Sequence, residues 1–178
     1  SLGLIIASDE IVNALFGYGT FTTQDVKMTS DALMYFGYGI VAFALIKILS
    51  NFYFARDNTK IPFYISSFIV FLNLVISLSF FSRVGFLIIP IATTISSWIG
   101  VLIFIYKLKQ NNFLPLKKNL FYDILKIIIS TIVMTMVLIF ALEKYSINLE
   151  YAYIYKSIYL LLIVGFVGIV YLLSCYLL

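Results

Sequence analysis

The sequence predicts an all-α fold, a polytopic transmembrane helical bundle with five full spans and the end of a sixth. Of its 178 residues, 63% are hydrophobic and 11% are charged, whereas a soluble domain is about half apolar and a quarter charged. The mean hydropathy is +1.08, so polar groups are too few to cover a surface that faces water. The apolar residues form continuous runs of about 20, the length that a helix needs to cross a bilayer core, and lack the alternation of a barrel strand.

The composition also excludes several kinds of chemistry. The chain has no histidine, which excludes histidine metal sites and Ser-His-Asp triads. Its single cysteine, Cys175, excludes an internal disulfide and a cysteine cluster for zinc or iron–sulfur. No basic stripe with interleaved aromatic residues is present, so a nucleic-acid partner is not expected. We therefore expect no metal and no cofactor.

Five apolar runs are long enough to span a membrane. In chain order they cover residues 32–55, 62–81, 84–106, 122–142 and 157–178. A sixth stretch, 2–7, is too short to cross the bilayer and is interpreted as the end of a helix. The chain begins without methionine and ends inside an apolar run, so we expect a piece of a larger membrane protein.

The residues between these runs suit helix ends and turns. Thr22 and Asp25 have the spacing of a capping box, in which each side chain bonds the backbone N–H of the other residue. Pro62 suits the first turn of a helix, where no hydrogen bond is lost. The tightest turn is expected at 82–85. Pro90, inside the third run, is expected to remove one backbone hydrogen bond and to allow a bend.

The polar stretch 107–121 is the predicted domain boundary, between residues 1–106 and a final helix pair, 122–178. Lysine and arginine set the orientation, because they accumulate in cytoplasmic loops. The side that includes this link carries seven of them and the other side carries four, namely Arg56, Lys60, Lys107, Lys109, Lys117, Lys118 and Lys126 against Lys27, Arg83, Lys144 and Lys156. The link is therefore expected to be cytoplasmic, with an aromatic belt of tyrosines within 145–155 at the outer end.

Lys47 is the strongest single indication of function. It lies nine residues before Arg56, about 13 Å deeper along the helix, and shares a face with Gly39, Phe43 and Asn51. A lysine at this depth is costly in lipid. It therefore either faces a cavity with an anionic partner, such as a phosphate, or extends toward the cytoplasmic interface. Arg56 is either an ordinary cytoplasmic anchor or a contact of the substrate.

Polar side chains also mark the second and third runs. Ser66, Asn73 and Ser77 lie on one face of the second run. Asn73 lies in mid-span and needs a partner, for which Thr93 on the next helix is the candidate. These residues either join two helices by hydrogen bonds or line a hydrated path or ion site.

Small residues predict close contacts between helices. Ala92, Ser96 and Gly100 form a stripe at a spacing of four, which allows two backbones to approach. Gly165 and Gly168 are candidates for another close contact. The last two runs are the most apolar, so they either face lipid or hold an acyl-type chain.

Three segments of the first half carry recognisable motifs. Residues 43–49 read Phe-Ala-Leu-Ile-Lys-Ile-Leu, and 52–62 read Phe-Tyr-Phe-Ala-Arg-Asp-Asn-Thr-Lys-Ile-Pro. Residues 15–22 are similar to a Leu-Phe-x-Arg-Gly-x-Phe-Thr segment, with Tyr18 in place of the arginine. The motifs resemble those of the lipid II flippase family (MurJ, also called MviN), in the multidrug/oligosaccharidyl-lipid/polysaccharide exporter superfamily.

The resemblance implies a fourteen-helix transporter, of which this chain supplies the end of the ninth helix through the fourteenth. On that basis, 1–106 is part of the C-terminal transport bundle, 107–121 is a cytoplasmic link, and 122–178 is a helix pair with a groove for the lipid tail. Members move lipid-linked peptidoglycan precursor across the bacterial cytoplasmic (inner) membrane by alternating access. No bond is made or broken, so no enzymatic activity and no catalytic residue are expected.

The resemblance also implies roles for individual residues. Lys47, Asn51 and Arg56 are substrate-path candidates, and their partner would be the diphosphate of the polyprenyl-linked precursor. Asn73 and Thr93 are ion-site candidates, since they match positions that bind sodium in some relatives. The other expected partners are membrane lipids and the missing N-terminal part of the same chain.

One residue departs from the sodium-binding pattern, because Ser77 stands where an acidic ligand can occur. Two other functions also remain open. The protein could be another exporter of the same superfamily, which moves a different polysaccharide lipid or a drug, although a cationic drug conflicts with a lysine in the cavity. It could also be a non-transporting membrane scaffold, in which the polar faces only pack helices together.

Overall fold

The computed structural model describes residues 1–17, 19–111, 113, 120–147 and 153–177. These residues form seven α-helices and one 3-10 turn, Gly85–Leu87, and contain no β-strand. The helices are α1 (Leu2–Ile6), α2 (Ser8–Phe16), α3 (Thr23–Phe54), α4 (Lys60–Val84), α5 (Ile88–Gln110), α6 (Leu120–Ile147) and α7 (Tyr153–Leu177). The predicted all-α fold is therefore confirmed.

Four stretches of the described chain are long and apolar enough to cross a membrane. They are Thr23–Phe54, Lys60–Gln110, Tyr122–Lys144 and Ser157–Leu177. The second stretch contains both α4 and α5, so each of the five predicted runs corresponds to a long helix of its own. The structure supports a multi-pass helical membrane protein, and the number of crossings stays a prediction.

The chain divides into two compact units, which are described separately. One consists of Asp31–Pro115 together with Ser1, and the other of Leu2–Ser30 and Leu116–Leu178. This grouping differs from the predicted domains at residues 2–30, which pack with the final helix pair. The functional roles assigned to 1–106, 107–121 and 122–178 stay predictions.

Helix α3 begins with the predicted capping box. The backbone N–H of Thr22 donates to Asp25 Oδ2 at 2.9 Å, and the N–H of Asp25 donates to Thr22 Oγ1 at 3.2 Å. Both N–H groups would otherwise lack an acceptor, because they precede the first carbonyls of the helix. Helix α3 has 32 residues and is about 48 Å long at about 1.5 Å per residue, which exceeds a bilayer core of about 30 Å.

Helices α4 and α5 form an antiparallel hairpin. Gly85, which follows α4, has a φ of +73°, a conformation that only glycine adopts without strain. Ile69 of α4 contacts Gly100 of α5, and Asn73 of α4 bonds Thr93 of α5. The later residue of α4 thus meets the earlier residue of α5, as expected for two antiparallel helices. The hairpin therefore brings the polar residues of its two helices together.

Pro90 lies in the first turn of α5, which begins at Ile88 directly after the 3-10 turn Gly85–Leu87. The backbone N–H of Ile88 donates to the Gly85 and Phe86 carbonyls, so the turn offers acceptors to the first N–H groups of α5. The loss of one hydrogen bond at Pro90 and the bend that it allows stay predictions.

Helix α3 packs on the α4–α5 hairpin and shares a core with it. The buried members are Ala42, Leu49, Tyr53, Ile65, Val101, Phe104 and Leu108. Two polar contacts connect α5 to backbone carbonyls of α3. Thr94 Oγ1 donates to the Tyr35 carbonyl at 2.8 Å, and Trp98 Nε1 donates to the Tyr38 carbonyl at 3.1 Å.

The predicted stripe of small residues on α5 is buried. Ala92 and Ser96 are 0% exposed, and Gly100 is also buried. A Cβ on Gly100 would lie 2.2 Å from Cδ1 of Ile69, so the glycine is needed for the close approach of α4. Close packing along this stripe is therefore confirmed.

The second unit has a core of its own between α1, α2, α6 and α7. Its buried members are Ala7, Ala14, Leu138, Leu142, Leu160 and Val167. The Ser157 hydroxyl donates to the Ala14 carbonyl at 2.6 Å, and the Ser30 hydroxyl donates to the Asp9 carboxylate. The outer faces of α6 and α7 are strongly apolar, with Met136 67% exposed and Leu161 72% exposed.

The sequence predicted a close helix contact at Gly165 and Gly168 of α7 and a belt of tyrosines before and at the start of this helix. A Cβ on Gly165 or Gly168 would meet no atom of the described chain within 4 Å, so the predicted close contact was wrong within those residues. The reason is that both glycines lie on an open face of α7. The predicted tyrosine belt lies outside the residues whose side chains the structure describes; it comprises Tyr145, Tyr151, Tyr153 and Tyr155.

Replacing Gly100 with alanine is expected to destabilise the packing of α4 on α5. The added methyl group has no room beside Ile69, and overpacking of this kind costs about 1–3 kcal/mol. The measurement is the free energy of unfolding of the purified protein in detergent micelles.

Gly165→Ala is the matched control, because it also lies within a helix but has open space around it. Alanine there should stabilise the helix by up to about 1 kcal/mol. Equal effects of the two substitutions would contradict the proposed role of Gly100.

Candidate functional site

A cleft between the end of α3 and the start of α4 contains the predicted lysine. Its volume is about 570 Å³. We call it the α3–α4 cleft, and its lining comprises Lys47, Ser50, Asn51, Phe54, Thr59, Pro62, Phe63 and Ser66. The structure thus brings together two of the substrate-path candidates, Lys47 and Asn51, because they lie one helical turn apart.

The cleft has one positive charge and no negative charge in its lining. Lys47 is exposed to it and, among the described residues, makes no hydrogen bond or ion pair. Asn51, Thr59 and Ser66 are also exposed and carry neutral groups that can donate hydrogen bonds. This set of donors suits an anion with several oxygen atoms, such as a phosphate.

The turn between α3 and α4 holds the wall of the cleft in place. The backbone N–H of Asn58 donates to the Tyr53 carbonyl at 3.0 Å. The Asn58 side-chain oxygen accepts from the N–H of Ile61 at 3.3 Å, so it satisfies one of the free donors at the start of α4. Asp57 has a φ of +54°, which an aspartate tolerates better than most residues. Pro62 lies in the first turn of α4, as predicted.

The guanidinium group of Arg56 lies outside the lining of the α3–α4 cleft. Its Nη1 donates to the Phe52 carbonyl at 2.8 Å, and its Cζ lies 4.3 Å from the centre of the Phe113 ring. Phe113 in turn packs against buried Tyr53 with ring centres 6.3 Å apart. The structure therefore does not bring Arg56 together with Lys47 in the cleft lining, and its part in a substrate path stays a prediction.

Asn73 and Thr93 are joined by the predicted hydrogen bond. Asn73 Nδ2 donates to Thr93 Oγ1 at 2.9 Å, and Thr93 Oγ1 donates to the Ile89 carbonyl at 2.7 Å. The Ser77 hydroxyl donates to Asn73 Oδ1 at 3.1 Å. The four groups form a continuous chain across the hairpin, so each polar atom has a partner inside the protein.

An ion role for Asn73 and Thr93 stays a prediction. Within the described residues, no group of three or more histidine, cysteine, aspartate or glutamate side chains is arranged to hold a metal ion. A sodium ion at this pair would have to share oxygen atoms that already accept hydrogen bonds.

Sequence reasoning missed part of the cleft lining. Ser50 lies three residues after Lys47, a spacing that places it on a neighbouring part of the same helix surface, so a signal was present. Thr59 and Phe63 come from beyond the turn, and no periodicity within α3 indicates them. Phe113 was missed as the partner of Arg56, because that contact depends on the path of the chain after α5.

The chain was compared with known families and proteins. The model of a family described as lipid II flippase MurJ matches residues 1–161. A probable lipid II flippase MurJ from Buchnera aphidicola subsp. Schizaphis graminum is 33% identical over 177 residues, which are 98% of this chain and 34% of that protein. One from Rickettsia prowazekii is 31% identical over 169 residues, 94% of this chain and 32% of that protein.

A solved structure of such a flippase also matches this chain. The lipid II flippase MurJ in its inward closed conformation matches with a TM-score of 0.70 and 25% identity, over 97% of this chain and 34% of that chain. The chain therefore spans about a third of the length of the relatives that it matches.

Replacing Asn73 with leucine is expected to destabilise the hairpin by about 1 kcal/mol. The substitution removes the interhelical hydrogen bond, and such bonds contribute about 0.6–2 kcal/mol in membrane proteins. Unfolding in detergent measures the change. Ser79→Ala is the control, since Ser79 is exposed on the same helix, and a loss of stability as large as that of Asn73→Leu would argue against this account.

Repeating the measurement in NaCl and KCl tests the ion-site prediction, which requires a sodium-specific stabilisation that Asn73→Leu abolishes.

Proposed function

The chain belongs to the lipid II flippase MurJ family, and on that premise we propose that it forms part of a flippase for lipid-linked peptidoglycan precursor. The protein would move the precursor from the cytoplasmic to the outer leaflet by alternating access. The family is one of transporters, so the residues of the site bind and release cargo. The proposal concerns the whole protein, of which this chain has about a third of the length.

The single observation that supports a role for this chain is the setting of Lys47. The ammonium group shares an open cleft with neutral hydrogen-bond donors and with no carboxylate. A diphosphate brings negative charge and several acceptor oxygen atoms, which match a cation with neighbouring amide and hydroxyl donors. Lys47 would supply the charge, and Asn51 would supply a directional hydrogen bond.

Charge and burial explain why such a site suits a transporter. A lysine within an apolar helix is retained where it borders water or an anion, and a phosphate satisfies both its charge and its hydrogen bonds. The cleft is open, so a head group can reach Lys47 from outside the described chain. Arg56, which lies on Phe113, would keep the α3–α4 turn and the chain after α5 together, and any contact with the substrate would require it to leave that ring.

The location and the other partners follow from the same premise. The protein is a multi-pass membrane protein, and we place it in the bacterial cytoplasmic membrane. The exposed apolar faces of α6 and α7 support contact with membrane lipid or with the polyprenyl tail of the cargo. The role of 107–121 as a cytoplasmic link remains part of this proposal, and Lys117 and Lys118 lie outside the described residues.

Replacing Lys47 with glutamine in the full-length protein is expected to reduce precursor translocation about tenfold. A hydrogen bond to a charged group contributes about 1.5–3 kcal/mol, and glutamine keeps the size but not the charge. The measurement uses proteoliposomes with a fluorescent lipid-linked precursor, whose exposure is read with a membrane-impermeant quencher.

Two variants control this experiment. Lys47→Arg keeps the charge and should retain more activity than Lys47→Gln. Lys109→Gln removes an exposed charge at the end of α5, outside the cleft lining, and should leave translocation unchanged. Normal translocation by Lys47→Gln would remove Lys47 from the mechanism.

The scaffold alternative is tested by water access to α3. In a full-length protein in which Cys175 and every other native cysteine are replaced by serine, a water-soluble maleimide should label cysteine at position 47 or 51, because both positions lie in the cleft. Cysteine in place of Ile48, which is exposed on another side of the helix, should be protected by lipid. Protection of all three positions would favour a scaffold whose polar residues only pack helices.

A further inference from the structure

The α3–α4 cleft continues into an apolar groove along α4. The groove has a volume of about 430 Å³. We call it the α4 groove, and its lining comprises Phe63, Ser66, Ser67, Val70, Phe71 and Leu74. Phe63 and Ser66 belong to both linings, so the polar cleft and the apolar groove are continuous.

The groove residues form one face of α4. Phe63, Val70 and Leu74 are separated by seven and four residues, which places them on one side of a helix. From Phe63 to Leu74 this face is about 16 Å long. Val70 is 60% exposed, Phe71 64% and Leu74 55%, so the groove is open and its deep end is apolar.

This arrangement has the polarity of a lipid that carries a phosphate. The charged end contains Lys47 with Asn51 and Thr59, and the apolar end contains Val70 and Leu74. A ligand that fits both would need an anionic group at one end and a continuous apolar chain about 16 Å long at the other. Inorganic phosphate would use only the cleft, and an uncharged lipid only the groove.

We propose that the α4 groove binds the isoprene units next to the diphosphate of the cargo while the diphosphate lies against Lys47. The inference rests on the proposed function, because that function supplies a polyprenyl diphosphate as the ligand. The α4 groove would be a second binding position for the polyprenyl tail, besides the groove on 122–178 that the family resemblance implies. The charge of the cleft and its continuity with the groove are the observations that carry it.

Tryptophan fluorescence of the full-length protein tests this position. In a background in which Trp98 and every other tryptophan of the full-length protein are replaced by phenylalanine, Leu74→Trp places a reporter at the deep end of the groove. Val75→Trp places a control reporter at the same depth but outside the groove lining; Val75 is 43% exposed. Both variants are reconstituted in nanodiscs of zwitterionic phosphatidylcholine, and their folding is checked by circular dichroism. The probes are a polyprenyl diphosphate brominated on the isoprene units next to the diphosphate, and brominated phosphatidylglycerol.

We expect the brominated polyprenyl diphosphate to quench the reporter at position 74 at about a tenfold lower concentration than the one at 75. Adding Lys47→Gln should raise the half-quenching concentration at position 74 about tenfold, because the phosphate loses its cation. Equal quenching of the two reporters, or no quenching of either, would overturn the inference. Quenching at position 74 that is as strong with brominated phosphatidylglycerol would overturn it in favour of a resident phospholipid.

The result is separable from the test of the proposed function. If Lys47→Gln impairs translocation but the two reporters are quenched equally, the proposed function stands and only the α4 groove is excluded as the binding position of the polyprenyl tail. If Lys47→Gln leaves translocation normal while the quenching at position 74 still depends on Lys47, the groove binds the lipid and the proposed transport role of Lys47 is wrong.

Discussion

A polar group in an apolar helix is costly without a partner, because a bilayer core offers no water to replace it, and the packing of α5 on α3 and α4 depends on this constraint. The chain from Ser77 through Asn73 and Thr93 to the Ile89 carbonyl crosses the α4–α5 hairpin without leaving an atom of the set unbonded. Thr94 and Trp98 similarly donate to carbonyls of α3. Small residues make these bonds possible, since Gly39 and Gly100 let the backbones approach closely enough for short side chains to reach.

Lys47 departs from this pattern, and its departure identifies the candidate site. The polar side chains of the α4–α5 hairpin described above bond within the protein, whereas the Lys47 ammonium faces an open cleft with no carboxylate in its lining. A cation in that position is stable only beside water or an anion. The cleft lies beside an apolar groove, so the surface offers both kinds of contact that an anionic lipid makes, and it does so on two consecutive helices. The family to which the chain belongs is described as one of lipid II flippases, and the ligand proposed for the cleft is of the same chemical class.

Much of the fold followed from the sequence because apolar length and helix-end chemistry are local properties. The capping box of Thr22 and Asp25 and the position of Pro62 were predicted correctly, as was the bond between Asn73 and Thr93, which lie on consecutive helices joined by one tight turn. Predictions that required knowledge of a neighbour were less successful. Gly165 and Gly168 were expected to contact a helix but meet no described atom within 4 Å.

The sequence by itself determined that the chain is a helical membrane protein, that Lys47 lies within an apolar helix about two turns before its end, and which family its motifs resemble. These conclusions depend on composition, on the spacing of residues along one helix, and on short motifs. Only the tertiary structure decided that Lys47 and Asn51 share a cleft with Thr59 and Phe63 of the next segment, that this cleft continues along α4, and that Arg56 lies on Phe113 instead. The physical reason is that side chains from different helices meet only after the helices pack, and the turn at Asn58 and the small residues at the helix contacts set that packing.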